Sequence, residues 1–379
     1  RGGNYGWSAY EASQPIKPGL ASPLAPITQP IVAHPHSEAA SITGGFVYHG
    51  RQFPELANAY IYGDWVTGKI WALWYDGKQI TRHEEIADTP HNIVTFGEDG
   101  DGELYYLHYA TPNTIHRLVR NPQAAHAPRF PRKLSATGLF SDVARLKATA
   151  GVYSFSISSP MWEDGTSASR LIGLRETSKL STTVSVSRDS KTNQIKAAYS
   201  TQWPKGAVLV RTITLGQLAL TPEKRSQPIE TQLLHYDGEA WNAYSYRWND
   251  AGNDADLVPA AGAEMTIRAA PEVHALGRGS RPYTWRFRSR AECLRCHSTW
   301  NAGALAFNAL QLRGVAGPQT NELIDRELVD ANFFEQTRVG AETQGGATRS
   351  ARSVLQANCA HCHQAHAGGA VPVFLNTEL

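Results

Sequence analysis

The feature that most constrains this chain is a five-residue pattern that occurs twice, as CLRCH at 293–297 and CAHCH at 359–363. In each unit two residues separate the cysteines, and a histidine follows the second cysteine directly. The two units hold all four cysteines of the sequence, so none is left for a disulfide elsewhere. Each unit therefore places two thiols and an imidazole close together along the chain.

Zinc and disulfides are two interpretations of these units. A zinc site built from all four thiols is weakened by the 62 residues between Cys296 and Cys359, because a zinc ribbon has roughly 15–20 there. A long loop could still join them. A disulfide within each unit fits a redox motif beside a βαβ unit, and the flanking sequence shows no such unit.

The histidine after each second cysteine favours covalent haem attachment. Thiols one helical turn apart can add to the two vinyl groups of haem, and the adjacent imidazole then faces the iron. The sequence thus predicts two covalently attached haem c groups, with zinc or free thiols as the alternatives. The predicted attachment points are Cys293, Cys296, Cys359 and Cys362, and the predicted proximal iron ligands are His297 and His363.

A haem that transfers electrons usually takes a second axial ligand, commonly methionine or histidine. For the first unit the candidates are Met265 and His274, with a core methionine and a surface histidine as the alternative. The second unit ends 16 residues before the last residue, so its distal ligand is either His366, which is close in sequence, or a residue beyond Leu379. The latter is preferred, and it predicts a chain truncated at its C-terminus.

Length and charge exclude several classes of protein. The 379 residues suit two or three domains, each able to bury a core. Lys and Arg number 36 against 34 Asp and Glu, a net charge of +2, so nothing points to nucleic acid or an anionic membrane surface. No run of 18 apolar residues predicts a membrane span. Arg1 begins the chain without a signal-peptide pattern, which predicts a removed targeting segment or a fragment.

The pattern along the chain predicts a mainly β protein with a small α-helical C-terminal region. Between 44 and 119 short aromatic-rich runs alternate with Gly and Asp turns, so residues 1–120 are predicted to be part of a β-propeller. Residues 121–135 are rich in Pro, Ala and basic side chains and are predicted to form a linker. Alternating apolar and polar residues predict a β-sandwich-like domain over 136–288, and 289–379 is the predicted haem-binding region.

Aromatic residues of the predicted sandwich are expected in its core and rim, with a sugar-binding platform as the alternative. They are Trp241, Tyr244, Tyr246, Trp248, Trp285 and Phe287. Helical periodicity comes late: one helix is predicted over 319–336, where Leu323, Ile324, Leu328 and Ala331 share a face. Another is predicted from a Ser350 cap into the second CxxCH unit, the expected entry to a c-type cytochrome-like fold.

Two further patterns carry weaker hypotheses. His34 and His36 have an HxH spacing that could face a metal, but without a third ligand the interpretation is an ordinary loop. The stretch EDGDGE at 98–103 could wrap calcium, although it lacks the bidentate glutamate of a full calcium loop. A turn that joins two strands is the favoured interpretation, because Asp-Gly pairs form turns readily.

Residues 4–7, 42–73 and 96–107 resemble the closing blades of the soluble glucose/sorbosone dehydrogenase family. The resemblance implies a six-bladed propeller, of which the last third is present, and pyrroloquinoline quinone as the cofactor of its best-known members. The earlier blades that supply the family's catalytic histidine are not in this sequence. Basic residues for the quinone carboxylates have no clear match, and His91 and Lys69 are the nearest candidates.

From residue 130 onward the chain resembles a planctomycete- and marine-type family of predicted dihaem c-type cytochromes. The resemblance rests on FPRKLSATGLFSDV at 130–143, on the runs around 203–250, and on WRFRSRAECLRCH and SVLQANCAHCH. It implies thioether attachment at the four cysteines and proximal ligation by the two unit histidines. In that family a propeller of the kind above often precedes the module, and the chain continues past the second haem into a Met-Pro segment.

The combined sequence predicts electron transfer by a dihaem c-type cytochrome, from a fused or partner dehydrogenase to an external acceptor. One alternative is a quinoprotein-like sugar or alcohol dehydrogenase with built-in haem c. Another is a zinc-stabilised carbohydrate-binding or adhesion module. Expected partners are a redox protein or dehydrogenase and a sugar substrate, without nucleic acid. The resemblance implies a periplasmic or secreted location, since haem c is attached outside the cytoplasm.

Overall fold

In the computed structural model the chain divides into two compact units, unit 1 (Arg1–Pro122) and unit 2 (Gln123–Leu379). The finer boundaries proposed within unit 2 stay predictions, and residues 121–129 of the predicted linker lie outside the described residues. The structure describes residues 3–20, 26–109, 112–120, 130–163, 165–175, 178–188, 195–267, 282–297, 304–313, 315, 317–330, 332–334, 346–363 and 375.

Unit 1 is built from antiparallel strands in chain order. Strands β3 to β6 form a four-stranded sheet, β7 to β9 form a three-stranded sheet, and β1 pairs with β2. Short 3-10 helices cover Pro18–Leu20 and Pro54–Leu56. The strands are β1 (Tyr10–Glu11), β2 (Gln14–Pro15), β3 (Ile42–Val47), β4 (Tyr60–Asp64), β5 (Lys69–Tyr75), β6 (Ile80–Asp88), β7 (Ile93–Glu98), β8 (Leu104–His108) and β9 (Thr114–Arg117).

Strand β5 is buried on both of its faces. Ile70 and Ala72 point into one apolar cluster with Ile93, whereas Trp71 and Leu73 point into another on the opposite side. Successive side chains of a strand alternate between faces, so a strand buried on both sides has a continuous apolar run. The run IWAL in β5 follows this rule.

The buried carboxylate of Asp64 holds the ends of β3, β4 and β5 together. It accepts hydrogen bonds from the backbone N–H groups of Ala40 and Ser41 before β3, and of Val66 and Thr67 between β4 and β5. Asp64 is 0% exposed. A buried carboxylate is tolerated when donors satisfy it, and here backbone groups of two segments do so.

Unit 2 contains twelve strands and four α-helices among the described residues. Its 3-10 helices cover Leu134–Thr137, Gly216–Leu218 and Pro222–Lys224. The strands are β10 (Phe140–Asp142), β11 (Lys147–Ala148), β12 (Val152–Ser154), β13 (Ser167–Gly173), β14 (Ser181–Arg188), β15 (Ile195–Gln202), β16 (Val208–Thr214), β17 (Pro228–Tyr236), β18 (Trp241–Trp248), β19 (Ala255–Leu257), β20 (Ala263–Ile267) and β21 (Tyr283–Phe287). The helices are α1 (Arg290–Cys296), α2 (Ala309–Arg313), α3 (Gln319–Asp325) and α4 (Gly346–Cys359).

A six-stranded antiparallel sheet in the order β12-β13-β16-β17-β18-β19 is the centre of unit 2. The hairpin β14-β15 leaves between β13 and β16, and β10-β11 and β20-β21 form further hairpins. Tyr246, Trp248, Trp285 and Phe287 are buried, which confirms their predicted place in the core. The prediction of a mainly β chain with few helices is confirmed.

The apolar side chains of the sheet pack against different parts of the chain on its two faces. One face bears Val210 and Leu233, which lie in a cluster with Leu134 and Phe140. On the other face Ile172 packs against α2 and α3, in a cluster that includes Leu312, Leu323 and Phe333. The residues that precede β12 and those that follow α1 thus cover the same sheet from opposite sides.

The helix predicted over 319–336 is wrong for residues 326–330, because α3 ends at Asp325, and Ala331 lies outside the described residues. Leu328 donates its N–H to the carbonyl of Leu323, and Glu327, with φ +56°, donates to Ile324. These two bonds are a Schellman ending, which requires a left-handed residue and usually employs glycine. Leu328 is therefore buried from a turn rather than from a helix. The predicted Ser350 cap is also wrong, because α4 already begins at Gly346.

Candidate functional site

The first CxxCH unit lies on α1 and at its end. Ser289 caps the helix: its side chain accepts the N–H of Glu292 at 3.1 Å, and the Glu292 carboxylate accepts the Ser289 N–H at 3.0 Å. Cys293 and Cys296 stand three residues apart on the helix, and His297 follows as the C-cap, with its N–H bonded to the Cys293 carbonyl at 3.0 Å. The capping box explains why a helix begins just before the unit.

Helix α1 is fixed to the central sheet by both polar and apolar contacts. Arg290 Nη2 donates to Asn242 Oδ1 on β18 at 2.6 Å. Ala291 and Leu294 are buried on the side of the helix that packs inward. Cys293 and Cys296 are thus carried by a helix that is itself fixed to the sheet.

The sulfur of Cys293 is in an environment that disfavours negative charge. Burial, and then the carboxylates of Glu230 and Glu292, raise the pKa of Cys293 to about 12. The pKa of Cys296 is also raised, first by burial and then by Cys362. Both cysteines of the first unit therefore carry uncharged sulfur at neutral pH.

The second CxxCH unit follows directly from the last turn of α4. Cys362 and His363 both donate their backbone N–H to the carbonyl of Cys359, at 3.0 and 2.9 Å. Asn358, one residue before the unit, accepts the N–H of Trp162 and donates to the carbonyl of Pro160 at 3.0 Å. This side chain ties the end of α4 to the segment before β13.

The two units come together in space although 62 residues separate them in sequence. Burial and then the charge of Cys362 raise the pKa of Cys296, so the two side chains are near enough to interact electrostatically. The first unit is held on β18 and the second on the segment 160–162. Sequence reasoning allowed this convergence only through a long loop.

The described residues of both units fit covalent haem. In each unit the two cysteines are three residues apart, about one helical turn, and a histidine follows the second cysteine directly. Thioether attachment and proximal ligation of haem use this arrangement. Uncharged sulfur at Cys293 suits a thioether. Among the described residues no group of three or more His, Cys, Asp and Glu is arranged to hold a metal ion.

Of the three candidate distal haem ligands, only Met265 lies among the described residues. Met265 lies on β20 opposite Trp285 and packs against the apolar cluster around Phe287, as expected of a core methionine. His274 and His366 lie outside the described residues. Their role as axial ligands stays a prediction.

In unit 1 the HxH pair does not converge on a common point. His34 Nε2 lies 2.7 Å from the Tyr62 hydroxyl, and that hydroxyl lies 2.8 Å from Nε2 of His83. His34 Nδ1 is 3.0 Å from Glu38, whereas the side chain of His36 is 52% exposed. The prediction of an ordinary loop at His36 is consistent with this arrangement, and sequence reasoning missed the network of His34.

Lys69 and His91, the candidates for binding the quinone carboxylates, contact other side chains of unit 1. Lys69 Nζ forms an ion pair with Glu85 Oε2 at 2.6 Å, which compensates its charge. The ring of His91 is 4.1 Å from that of His116 and 4.5 Å from that of His108. Burial and these two imidazoles lower the pKa of His91 to about 4, so it is neutral at physiological pH.

The EDGDGE stretch joins β7 to β8, as the interpretation of a turn predicts. Asp99 accepts the N–H groups of Asp101 and Glu103 at 3.0 and 2.9 Å. Glu103 in turn accepts the Tyr48 hydroxyl and two backbone N–H groups of a neighbouring segment. A cavity of about 310 Å³ adjoins the turn, and its lining includes Tyr105 and the residues just named.

Comparison with known proteins shows a partial likeness. No protein-family model and no solved structure matches the chain. The HIPL1 protein of Arabidopsis thaliana is 30% identical over 155 residues, which cover 32% of this chain and 22% of that protein. The HIPL2 protein of the same plant is 36% identical over 158 residues, and the match covers 31% of this chain and 22% of that protein. The chain thus spans about a fifth of the length of these relatives. Within the described part of the chain, no helix has the length and apolar character needed to cross a membrane.

Proposed function

We propose that this chain is a dihaem c-type cytochrome module that transfers electrons from a fused or partner dehydrogenase to an external acceptor. The observation that carries the proposal is the convergence of the two CxxCH units. A thiol of the first unit, Cys296, and one of the second, Cys362, interact electrostatically. Two cofactors attached there would be neighbours, as exchange of electrons between them requires.

Bound haem supplies a one-electron redox centre, and the protein sets its position and environment. Cys293 and Cys296 would hold the first macrocycle on α1, and Cys359 and Cys362 would hold the second at the end of α4. His297 and His363 would serve as proximal ligands. The capping box at Ser289 and the contacts of Asn358 fix the two attachment segments.

Unit 1 is proposed to consist of propeller blades that dock the electron donor or a sugar. The support is topological: a four-stranded antiparallel meander in strict chain order is followed by a second meander. The cavity beside the EDGDGE turn combines carboxylates with tyrosines, and such a lining suits a ligand rich in hydroxyl groups. A quinoprotein-like sugar dehydrogenase is therefore the second candidate, and periplasmic or secreted localisation is proposed with both.

Absorption spectra of the purified protein test the proposal, after expression in a host that attaches haem c. Ferric and dithionite-reduced spectra, with haem-to-protein stoichiometry after denaturation, should show two covalently retained haems per chain. The double variants Cys293→Ala/Cys296→Ala and Cys359→Ala/Cys362→Ala should each retain one. Absence of covalent haem together with bound zinc would refute the proposal in favour of a zinc-stabilised module.

Sugar-dependent reduction separates the two candidates once haem is present. The ferric protein is mixed with aldoses, with and without pyrroloquinoline quinone, and the haem spectrum is followed. Reduction by sugar identifies a dehydrogenase, whereas reduction only by an added redox protein supports the electron-transfer module.

A further inference from the structure

Tyr62 on β4 lies in the middle of a chain of hydrogen-bonded side chains in unit 1. Its hydroxyl oxygen is 2.7 Å from Nε2 of His34 and 2.8 Å from Nε2 of His83, which lies on β6. Nδ1 of His34 is in turn 3.0 Å from a carboxylate oxygen of Glu38. The four side chains therefore form one continuous hydrogen-bonded chain, with Tyr62 and His34 as its inner members.

The inner members of this chain are shielded from solvent, whereas its two ends are open to it. Tyr62 is 5% exposed, and the side chain of His34 is also 5% exposed. His83 is exposed, and the side chain of Glu38 is 43% exposed. Because the Tyr62 hydroxyl is shielded, its hydrogen-bond partners are the groups that can take up its proton.

The carboxylate of Glu38 fixes the direction of the hydrogen bonds. A carboxylate only accepts, so Nδ1 of His34 carries a proton and donates it to Glu38. Nε2 of the neutral His34 ring is then an acceptor, and the Tyr62 hydroxyl donates to it. Burial, and then His34, lower the pKa of His83, so this ring is neutral at physiological pH. Its Nε2–H group donates to the oxygen of Tyr62.

This arrangement places a base at proton-transfer distance from Tyr62. A general base acts over about 2.6–3.2 Å, and Nε2 of His34 lies within that range. After it takes the proton, the His34 ring is an imidazolium beside the carboxylate of Glu38, and such a charge-assisted hydrogen bond is stronger than a neutral one. Burial, and then Glu38 and Tyr60, raise the pKa of Tyr62, so the resting phenol keeps its proton.

Stacked aromatic rings connect Tyr62 to the surface of unit 1. Trp71 lies directly opposite Tyr62 on β5, and the centroids of the two rings are 5.6 Å apart. Tyr60 is 37% exposed, and its ring stacks on that of Tyr62 with centroids 5.7 Å apart. The rate of electron transfer falls steeply with distance, so rings in contact favour it. An electron can therefore leave Tyr62 by way of Tyr60 while the proton moves to His34.

We propose that Tyr62 is a redox-active tyrosine, which yields one electron to an oxygen-centred radical and its hydroxyl proton to His34. An oxidised phenol is a strong acid, so its oxidation is easiest when a base takes the proton. The O–H bond of Tyr62 breaks, an N–H bond forms at Nε2 of His34, and the oxidant gains the electron. The oxidant becomes an anion that takes a proton from water. Tyr62 is left as a neutral radical, and the activity of unit 1 is the scavenging of radicals, which does not depend on haem at either CxxCH unit.

The test uses the full chain under oxidising conditions, with a photogenerated ruthenium(III) tris(bipyridine) complex as the one-electron oxidant. The rate of oxidation is followed in H2O and in D2O, and EPR spectra are recorded with and without ring-deuterated tyrosine. The variants are Tyr62→Phe, His34→Gln and Glu38→Gln, with circular dichroism to confirm folding. Tyr75→Phe is one control, because Tyr75 is an exposed tyrosine of the same unit. His83→Gln is the other, because it keeps an N–H donor for the Tyr62 oxygen.

The wild-type chain should give a long-lived tyrosyl radical, with an EPR signal that deuterated tyrosine narrows and a formation rate that is lower in D2O. Tyr62→Phe should abolish this signal, and His34→Gln should slow its formation about 100-fold, the contribution of a general base. Both controls should keep the signal. A signal that survives Tyr62→Phe, or its absence from the wild-type chain, would overturn the inference. So would an unchanged rate in His34→Gln or, if that variant does not fold, in Glu38→Gln. Haem stoichiometry is a separate measurement, so failure here and failure of the proposed function are distinguishable.

Discussion

Replacing Ser289 by alanine should destabilise unit 2 through α1. The Ser289 side chain is 0% exposed and its hydroxyl accepts the Glu292 N–H at 3.1 Å. Loss of an N-cap hydroxyl costs about 1 kcal/mol, and the cost rises toward about 2 kcal/mol where the abandoned N–H is shielded from water. Because Cys293 lies in the first turn after the cap, haem attachment at the first unit should fall as well.

Urea unfolding followed by tryptophan fluorescence measures this loss. The midpoint should fall while the slope stays constant, since the variant changes stability and not the surface exposed on unfolding. Ser226→Ala serves as the control, because Ser226 is an exposed serine of the same unit, and its effect should stay within about 0.5 kcal/mol. A double-mutant cycle with Glu292→Ala should show coupling of about 0.5–1 kcal/mol; alanine is chosen because glutamine could still accept the Ser289 N–H. The reasoning about the capping box is refuted if the free-energy losses of the two single variants simply add in the double variant. It is also refuted if Ser289→Ala destabilises the protein no more than the control variant does.

Three further changes test other parts of the molecule. Gly45→Ala should lower the free energy of unfolding by more than about 3 kcal/mol, because the new Cβ would lie 1.6 Å from the carbonyl oxygen of Ile61. Gly44→Ala is the control, because its Cβ would lie 3.4 Å from the Tyr60 hydroxyl, an ordinary contact. The lowered pKa of His91 means that unit 1 loses stability as pH falls from 6.5 toward about 4, and unfolding curves of His91→Gln should show a smaller loss. Burial raises the pKa of Glu230, so its contribution to the free energy of unfolding is full below about pH 4.3 and is lost as the pH rises through the pKa of the folded state. Urea titrations of Glu230→Gln should show a weaker dependence of this free energy on pH.

The sequence predicted those parts of the fold that depend on local pattern. The alternation of apolar and polar residues predicted β16, β17 and β18, although apolar clusters cover their sheet on both faces. The helix α4 was predicted to lead into the second CxxCH unit. The early end of α3 was not predictable in the same way. It depends on Glu327, which adopts a left-handed conformation that sequence reasoning reserves for glycine or asparagine.

The sequence predicted the residues within each CxxCH unit, but it did not predict which distant residues lie near one another in the fold. The spacing of cysteine and histidine within each unit predicted which side chains act together, since it depends on a single helical turn. The adjacent side chains of Arg170 and Arg211 were missed because an arginine in an alternating strand normally predicts a solvent-facing position. These two residues belong to strands separated by the hairpin β14-β15, and only the pairing of β13 with β16 places them side by side.

The environment of Cys293 bears on the choice between haem and zinc. A rise in the thiol pKa from 9.0 to about 12 makes the thiolate about 4 kcal/mol harder to form at this position. Zinc is bound by thiolates, so its binding would have to offset that cost beside the carboxylates of Glu230 and Glu292. A thioether carries no charge, and the same carboxylates cost it nothing. The burial that makes a thiolate costly at Cys293 is therefore compatible with the proposed thioether.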